Sequence, residues 1–185
     1  MNKSFLTSYG DASVEPLLQA GETEAGISFG SNMGDRAAWL EKAIAKLAGH
    51  PGVRLLARAS VYETDPVDVP EAFRDSLYLN TVALYAVRLP LDEWSACCHA
   101  AEDELGRIRT GYHHPRTIDI DLLYFGDAVR DAPHLHLPHP QIASRAFVCR
   151  PLAELRPNLL LPGFSQTVAE LLKALPDEGV RPYRP

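Results

Sequence analysis

The stretch PRTIDID, residues 115–121, alternates apolar and acidic side chains along the chain. Residues two apart in a strand point to the same side, so this alternation predicts a strand over Thr117–Phe125. The two isoleucines would face a core from one side of the strand. Asp119 and Asp121 would project together from the other side, with Cα atoms roughly 6–7 Å apart.

Two carboxylates this close repel each other, and neither is easily desolvated alone. A hard divalent cation removes both problems, and Mg²⁺ favours a few carboxylates together with water and phosphate oxygens. Three nearby arginines, Arg107, Arg109 and Arg116, could grip phosphoryl oxygens with forked hydrogen bonds. The combination predicts a metal–phosphate site, and the alternative is a solvated sheet face with surface ion pairs.

The preceding sequence supplies the rest of a layered fold. The first helix would start after Asp35 and bury Leu40, Ala43, Ile44 and Leu47. The order β-α-β-β-α-β predicts an α+β domain with a ferredoxin-like core, that is, a mainly antiparallel sheet with helices packed on it. The five elements before the acidic strand are predicted over Gly26–Gly30, Asp35–Ala48, Val53–Thr64, Tyr78–Val87 and Pro90–Leu105.

The chain has 185 residues, enough for one domain that needs neither a disulfide nor a metal to hold its core. We expect a mobile N-terminal extension over residues 1–25, one domain over 26–176 and a C-terminal tail over 177–185. Within the domain, the pattern also predicts a short helix over Val148–Leu155 and another after the capping box at Thr167.

Composition narrows the possible functions. A net charge of −6 disfavours a general nucleic-acid binder, and no apolar run reaches the length of a membrane helix. The three cysteines form no disulfide framework, so a cytoplasmic location is expected. His134, His136 and His139 lie near one another, but without a Cys-x-x-Cys motif we expect no structural zinc. Gly30-Ser31-Asn32 is not followed by the Gly-Lys-Ser/Thr of a Walker loop and is better interpreted as a structural turn.

Several motifs occur in order along residues 26–175, and the PRTIDID block is the most specific of them. The other blocks are Phe29-Gly30-Ser31-Asn32, Tyr62-Glu63-Thr64-x-Pro66, Tyr78-Leu79-Asn80, Glu102-x-x-x-Gly106-Arg107-x-Arg109, Pro138-His139-Pro140 and Arg145-x-Phe147. Taken together, they resemble the 6-hydroxymethyl-7,8-dihydropterin pyrophosphokinase family of folate biosynthesis. The ordered set is very improbable by chance.

The resemblance implies transfer of the β,γ-pyrophosphoryl unit of ATP to the pterin hydroxymethyl group, with release of AMP. By resemblance, Asp119 and Asp121 hold two Mg²⁺ ions. Arg107 and Arg116 would stabilise charge on the phosphates, completing the catalytic set. The implied partners are these two small-molecule substrates. We expect a monomer that binds neither nucleic acid nor membrane.

The resemblance also assigns the binding residues. The pterin would lie between the rings of Tyr78 and Phe147, with hydrogen bonds from Asn80, Thr64 and the backbone near Val67. ATP and its phosphates would be held by Glu102, Arg109, His139 and Arg145.

Two departures from the family pattern stand in the sequence. Tyr112-His113-His114 replaces an Arg-Trp-Gly triplet before the PRTIDID block, and His99 replaces a glutamine three residues before Glu102. They leave open a non-catalytic pterin- or nucleotide-binding module. Another Mg²⁺-dependent phosphotransferase or nucleotidyltransferase on the same fold, and a protein-interaction role for the acidic N-terminal extension, are further alternatives.

Overall fold

The computed structural model describes residues 18–67, 70–107, 116–176 and 179–184. Eight strands and four α-helices lie in these ranges, with short 3-10 helices at Glu71–Phe73 and Ile142–Ser144. In chain order the elements are β1 (Thr23–Ser31), α1 (Arg36–Ala48), β2 (Val53–Arg58), β3 (Tyr62–Thr64), β4 (Tyr78–Val87), α2 (Leu91–Glu104), β5 (Asp119–Phe125), β6 (Arg130–Ala132), β7 (Leu135–Leu137), α3 (Ala146–Leu155), α4 (Val168–Ala174) and β8 (Val180–Pro182).

One six-stranded sheet forms the centre of the fold. Its strands lie in the order β5-β1-β4-β3-β8, and β2 pairs with β4 on the same edge as β3. Every pairing in this sheet is antiparallel. Strands β6 and β7 form a separate hairpin. The α+β class and the mainly antiparallel sheet predicted from the sequence are therefore confirmed.

The single strand predicted over residues 53–64 is wrong, because the chain forms two strands, β2 and β3. Between them, the Thr81 hydroxyl donates to the carbonyls of Ala59 and Ser60, each at 3.1 Å. These side-chain hydrogen bonds hold the chain where it leaves the ladder. The register against β4 shifts by one residue across the break.

Helices α1 and α2 pack on one face of the sheet, which we call the covered face. As predicted, α1 begins after Asp35, whose carboxylate accepts a hydrogen bond from the Ala38 amide at 3.0 Å. The predicted buried face of α1 is also confirmed. The residues of α1 that are buried in the core are Leu40, Ala43, Ile44 and Leu47.

Helices α3 and α4 pack on the opposite face, around Val82 and Leu84 of β4 and Leu123 of β5. They leave one end of that face uncovered, where β1 ends and where β4 and β5 begin. We call this the open end. Side chains that point away from the covered face line a groove there.

Several predicted boundaries need correction. β1 begins at Thr23, and Ala25, placed in the mobile extension, is fully buried. β8 lies inside the predicted C-terminal tail and pairs with β3. β5 begins at Asp119, two residues later than predicted. Across the described ranges, no helix combines the length and the apolar character needed to cross a membrane.

Candidate active site

The open end of the sheet forms the floor of a groove. Gly30 of β1 lies in register between Asp119 of β5 and Asn80 of β4. A Cβ atom at Gly30 would lie 2.9 Å from Asn80 Oδ1 and 3.7 Å from the Asp119 Cβ. Glycine therefore leaves room for two polar side chains, one on each neighbouring strand.

Asp119 pairs with two arginines beside this floor. Its Oδ1 lies 2.6 Å from Arg107 Nη1, and its Oδ2 lies 2.8 Å from Arg116 Nη1. Arg107 also pairs with Glu102, whose Oε1 accepts a hydrogen bond from the Ile120 amide at 2.7 Å. The buried Glu102 thereby ties the end of α2 to the start of β5 and holds Arg107 next to Asp119.

Asp121 lies two residues farther along β5 and lines the same groove. Burial and the neighbouring carboxylates of Asp119 and Glu102 raise the pKa of Asp121 to about 7. Arg145 and Arg107 partly offset this effect. The crowding of three carboxylates makes the site favourable for additional positive charge.

The residues that the resemblance assigns to the pterin line this groove together. Asn80 donates from Nδ2 to Thr64 Oγ1 at 2.7 Å, and both residues are buried. Burial raises the pKa of the Tyr78 hydroxyl, which therefore stays protonated at neutral pH. Val67 and Phe147 add apolar surface to the same groove.

The start of α3 forms a second wall of the groove. Arg145 immediately precedes this helix, and its guanidinium lies 5.4 Å from the centre of the Phe147 ring. This is the distance range of a cation–π contact. Arg116 and Arg145 both line the groove, so two positive groups stand near the aspartates where an anion could bind.

A second cavity, of about 230 Å³, lies between β5, α2 and the segment that includes the β6–β7 hairpin. His139 lines it, with its amide bonded to the Leu123 carbonyl and its Nδ1 accepting from the Gln141 amide. Burial and the charge of Arg145 lower the pKa of His139, which favours a neutral imidazole. Asp121 lines both this cavity and the groove. Other residues of its wall are Ser95, His99, Ile120 and His136.

Some residues expected from the sequence lie outside the described ranges, and some residues of the groove were not expected. Arg109 and Tyr112-His113-His114 lie outside the described residues. Ser28 and Asp65 line the groove but were not expected there from the sequence. The spacing role of Gly30 was not expected either, although a glycine inside a strand is a known sign of close approach.

The turn expected at Gly30-Ser31-Asn32 begins later than predicted, because Gly30 and Ser31 are the last residues of β1 and the strand is followed by Asn32. The Oδ1 atom of Asn32 accepts a hydrogen bond from the Arg116 amide at 2.8 Å. The turn after β1 is thereby tied to the backbone that enters β5. This contact helps to set Arg116 beside Asp119.

Comparison with known proteins gives consistent similarities. Residues 26–157 match the family model described as 7,8-dihydro-6-hydroxymethylpterin-pyrophosphokinase. A Methylorubrum extorquens protein named 2-amino-4-hydroxy-6-hydroxymethyldihydropteridine pyrophosphokinase is 37% identical over 158 residues, which cover 85% of this chain and 97% of that protein. A Pseudomonas aeruginosa protein of the same name is 37% identical over 155 residues, covering 83% of this chain and 93% of that protein.

Two longer proteins are also similar. The folic acid synthesis protein fol1 of Schizosaccharomyces pombe is 36% identical over 160 residues, but this chain spans only 21% of its length. A crystal structure of Plasmodium falciparum HPPK-DHPS with pteroate has a TM-score of 0.62 at 14% identity, covering 88% of this chain and 43% of that chain. At this low identity, the structural match shows a shared fold.

Proposed function

The chain belongs to the 7,8-dihydro-6-hydroxymethylpterin-pyrophosphokinase family and is a pyrophosphokinase of folate biosynthesis, and we propose that it uses the two adjoining cavities for its two substrates. It would transfer the pyrophosphoryl unit of ATP to the hydroxymethyl group of 6-hydroxymethyl-7,8-dihydropterin, giving AMP and the pterin diphosphate. The observation that carries this proposal is the position of Asp121, which lines both cavities. A group at this junction can act on both the acceptor and the donor.

The groove suits a flat heteroaromatic ring. Tyr78 and Phe147 would hold the pterin between two aromatic faces. The Asn80 amide offers a donor and an acceptor to the pterin edge, and its bond to Thr64 fixes the amide orientation. The backbone near Val67 would complete the hydrogen bonding.

The cavity beside α2 would hold ATP, the co-substrate that a kinase of this family implies. Its polar lining suits a ribose, and Ile120 gives it an apolar surface for a base. His139 and Arg145 interact electrostatically across the junction of the two cavities. They would bind the phosphates from one side, while Glu102 keeps Arg107 in place on the other. Arg109 enters the proposal from the sequence alone.

Asp119 and Asp121 have the chemistry that Mg²⁺ requires. Within the described part of the chain, no group of three or more acidic, histidine or cysteine side chains is arranged to hold a metal ion. Two carboxylates nevertheless suffice for Mg²⁺ when phosphate oxygens and water supply the remaining ligands. The raised pKa of Asp121 reflects its burial and the neighbouring carboxylates of Asp119 and Glu102, and a bound cation would offset both effects. Two bound Mg²⁺ ions would neutralise phosphate charge and polarise the attacking hydroxyl.

Arg107 and Arg116 would change partners during the reaction. Both guanidiniums are paired with Asp119 in the structure. The planar guanidinium matches phosphate as well as carboxylate, and a triphosphate carries more negative charge than Asp119 alone. When ATP binds, the two arginines would turn to its phosphoryl oxygens and leave the Asp119 carboxylate available to a cation.

We also propose a ferredoxin-like core, a cytoplasmic location and a monomeric state for this chain. The order β5-β1-β4, with β2 and β3 on the outer side of β4, supports a ferredoxin-like core. All three cysteines are free thiols, which supports a reducing, cytoplasmic location. We expect a monomer that acts on small molecules. We expect no binding to nucleic acid, since the net charge of −6 gives no general attraction for it.

A product assay tests this function. The protein, mixed with ATP, Mg²⁺ and 6-hydroxymethyl-7,8-dihydropterin, should form AMP and pterin diphosphate in equal amounts, and only when all three are present. ADP would instead indicate transfer of a single phosphoryl group. Binding of both ligands without turnover would favour a binding module. Asp119→Asn, which keeps the side-chain shape, is the matched inactive control.

A further inference from the structure

Arg36, the first residue of α1, joins this helix to two neighbouring strands. Its Nη2 lies 2.9 Å from Glu63 Oε1 of β3. Its Nη1 donates to the Leu77 carbonyl, immediately before β4, at 3.0 Å. One guanidinium therefore holds a side chain of β3 and the backbone that enters β4.

Both contacts lie one residue away from a residue of the groove. Glu63 precedes Thr64, and Leu77 precedes Tyr78. Thr64 and Tyr78 stand directly opposite each other in the β3–β4 ladder. Because successive strand residues point to opposite faces, Thr64 faces the groove while Glu63 faces Arg36 behind it.

The pairing between β3 and β4 is the part of the groove that most needs such support. β3 has only three residues, and Tyr78 is the first residue of β4. Strand ends open more easily than strand centres. A contact that ties Glu63 to Leu77 from behind therefore limits how far Thr64 and Tyr78 can separate.

We propose that Arg36 is a positioning residue for pterin binding, one that fixes Tyr78 relative to Thr64 and Asn80. This inference rests on the proposed pterin subsite. The Asn80–Thr64 hydrogen bond defines the polar edge of that subsite, and Tyr78 defines one of its ring faces. Movement between the ends of β3 and β4 would change the distance between the Asn80–Thr64 pair and the Tyr78 ring. The cavity beside α2 has none of these residues in its described wall.

Substitutions at Arg36 can separate positioning from stability. The Arg36 and Glu63 side chains are 26% and 27% exposed, and ion pairs this exposed contribute little to the free energy of unfolding. Arg36→Met keeps an unbranched apolar chain but donates no hydrogen bond. Arg36→Lys keeps the charge, yet its compact ammonium does not reproduce the guanidinium fork.

The experiment compares Arg36→Met with Arg58→Met. Arg58 of β2 is a matched control, because it also pairs with a glutamate, Glu41 of α1, and does not line the groove. We expect Arg36→Met to raise the Kd and the KM for 6-hydroxymethyl-7,8-dihydropterin about three- to fivefold, because a partly exposed contact of this kind is worth up to about 1 kcal/mol. The Kd for ATP, the kcat at saturating pterin and the Tm should change little. Arg36→Lys should recover part of the loss, and Arg58→Met should leave pterin binding as in the wild type.

Three results would overturn the positioning role. The first is an unchanged pterin Kd in Arg36→Met. The second is an equal loss of pterin and ATP affinity with a lowered Tm, which would indicate general loosening. The third is additive losses in Arg36→Met combined with Glu63→Gln, because substitutions that act through one contact are not additive. A wild-type protein that binds no pterin would overturn the proposed function itself.

Discussion

The two faces of the central sheet are covered to different extents. On the covered face, Phe29 and Leu79 are buried beneath the layer formed by α1 and α2. On the opposite face, α3 and α4 leave the open end accessible, and Gly30 and Asn80 line the groove there. Phe29 immediately precedes Gly30 in the chain, and Leu79 immediately precedes Asn80. Alternation along a strand thus separates the residues that stabilise the fold from those that form the site, and this separation can be tested.

The largest effect is expected from the aspartates of the open end. Asp121→Ala should lower kcat by about a thousandfold or more, because it removes a ligand from the proposed metal site. The free energy of unfolding should not fall, since the substitution also relieves repulsion with Asp119 and Glu102. Steady-state kinetics and urea unfolding would measure the two quantities. Near-native turnover at saturating Mg²⁺ would contradict the metal assignment.

The covered face should show the opposite behaviour. Ile27 is fully buried in β1 against the α1–α2 layer. Ile27→Ala should lower the free energy of unfolding by about 2–5 kcal/mol, through lost burial and the cavity that remains. The Kd values of the folded protein for both substrates should stay close to those of the wild type. A urea midpoint that does not move would show that this face is not the main source of stability.

The long elements on both faces could be predicted from local patterns. The bounds of β4 match the predicted strand over Tyr78–Val87, and α1 has the predicted cap at Asp35. The capping box at Thr167 is also present, with Glu170 as its second member. Caps and apolar spacing are properties of a few consecutive residues, so the sequence contains them directly.

Elements that depend on distant partners could not be predicted. β8 has three residues, and its strand conformation depends on β3, more than a hundred residues earlier. The break after Arg58 depends on the hydroxyl of Thr81. Nothing in the proline-rich segment from Pro133 indicated that β7 would pair with β6.

The site shows the same division. Residue types and the family resemblance predicted the acidic pair and the groove residues such as Asn80 and Phe147. They did not predict that Asp119 would pair with both Arg107 and Arg116, or that Asp121 would line two cavities. These relations join residues from different elements, so they become visible only after the sheet, α2 and α3 are assembled.

The stability of the protein should depend on pH through Asp121. Its pKa in the folded protein, about 7, lies above the ordinary aspartate value of 3.8. The folded state therefore binds this proton more tightly than the unfolded state does, so the contribution of Asp121 to stability falls as pH rises from about 4 to 7. Without Mg²⁺, Asp121→Asn should become progressively more stable than the wild type over this range. A stability difference that is independent of pH would contradict the raised pKa.

A smaller and more selective effect is expected at Asn80. Asn80→Ala removes the amide from the proposed pterin edge and leaves the Thr64 hydroxyl without this partner. Loss of one or two hydrogen bonds predicts a pterin Kd raised about 10- to 100-fold. The Kd for ATP should stay nearly constant. Calorimetric titration would measure both Kd values, and equal losses of affinity for pterin and ATP would argue against a pterin-specific role.

The smallest effect is expected at Thr167, within the layer that covers the other end of the groove-bearing face. Its hydroxyl accepts from the Glu170 amide at the start of α4, while the Glu170 carboxylate accepts from the Thr167 amide at 2.8 Å. Thr167→Ala should lower the free energy of unfolding by about 1 kcal/mol, the usual value of such a cap. The kcat and both substrate KM values should not change, because α4 packs against α3 and none of its residues lines the groove. A change in pterin KM in this variant would show that the covering layer and the open end are energetically coupled, so that stability and binding are not separated in this fold.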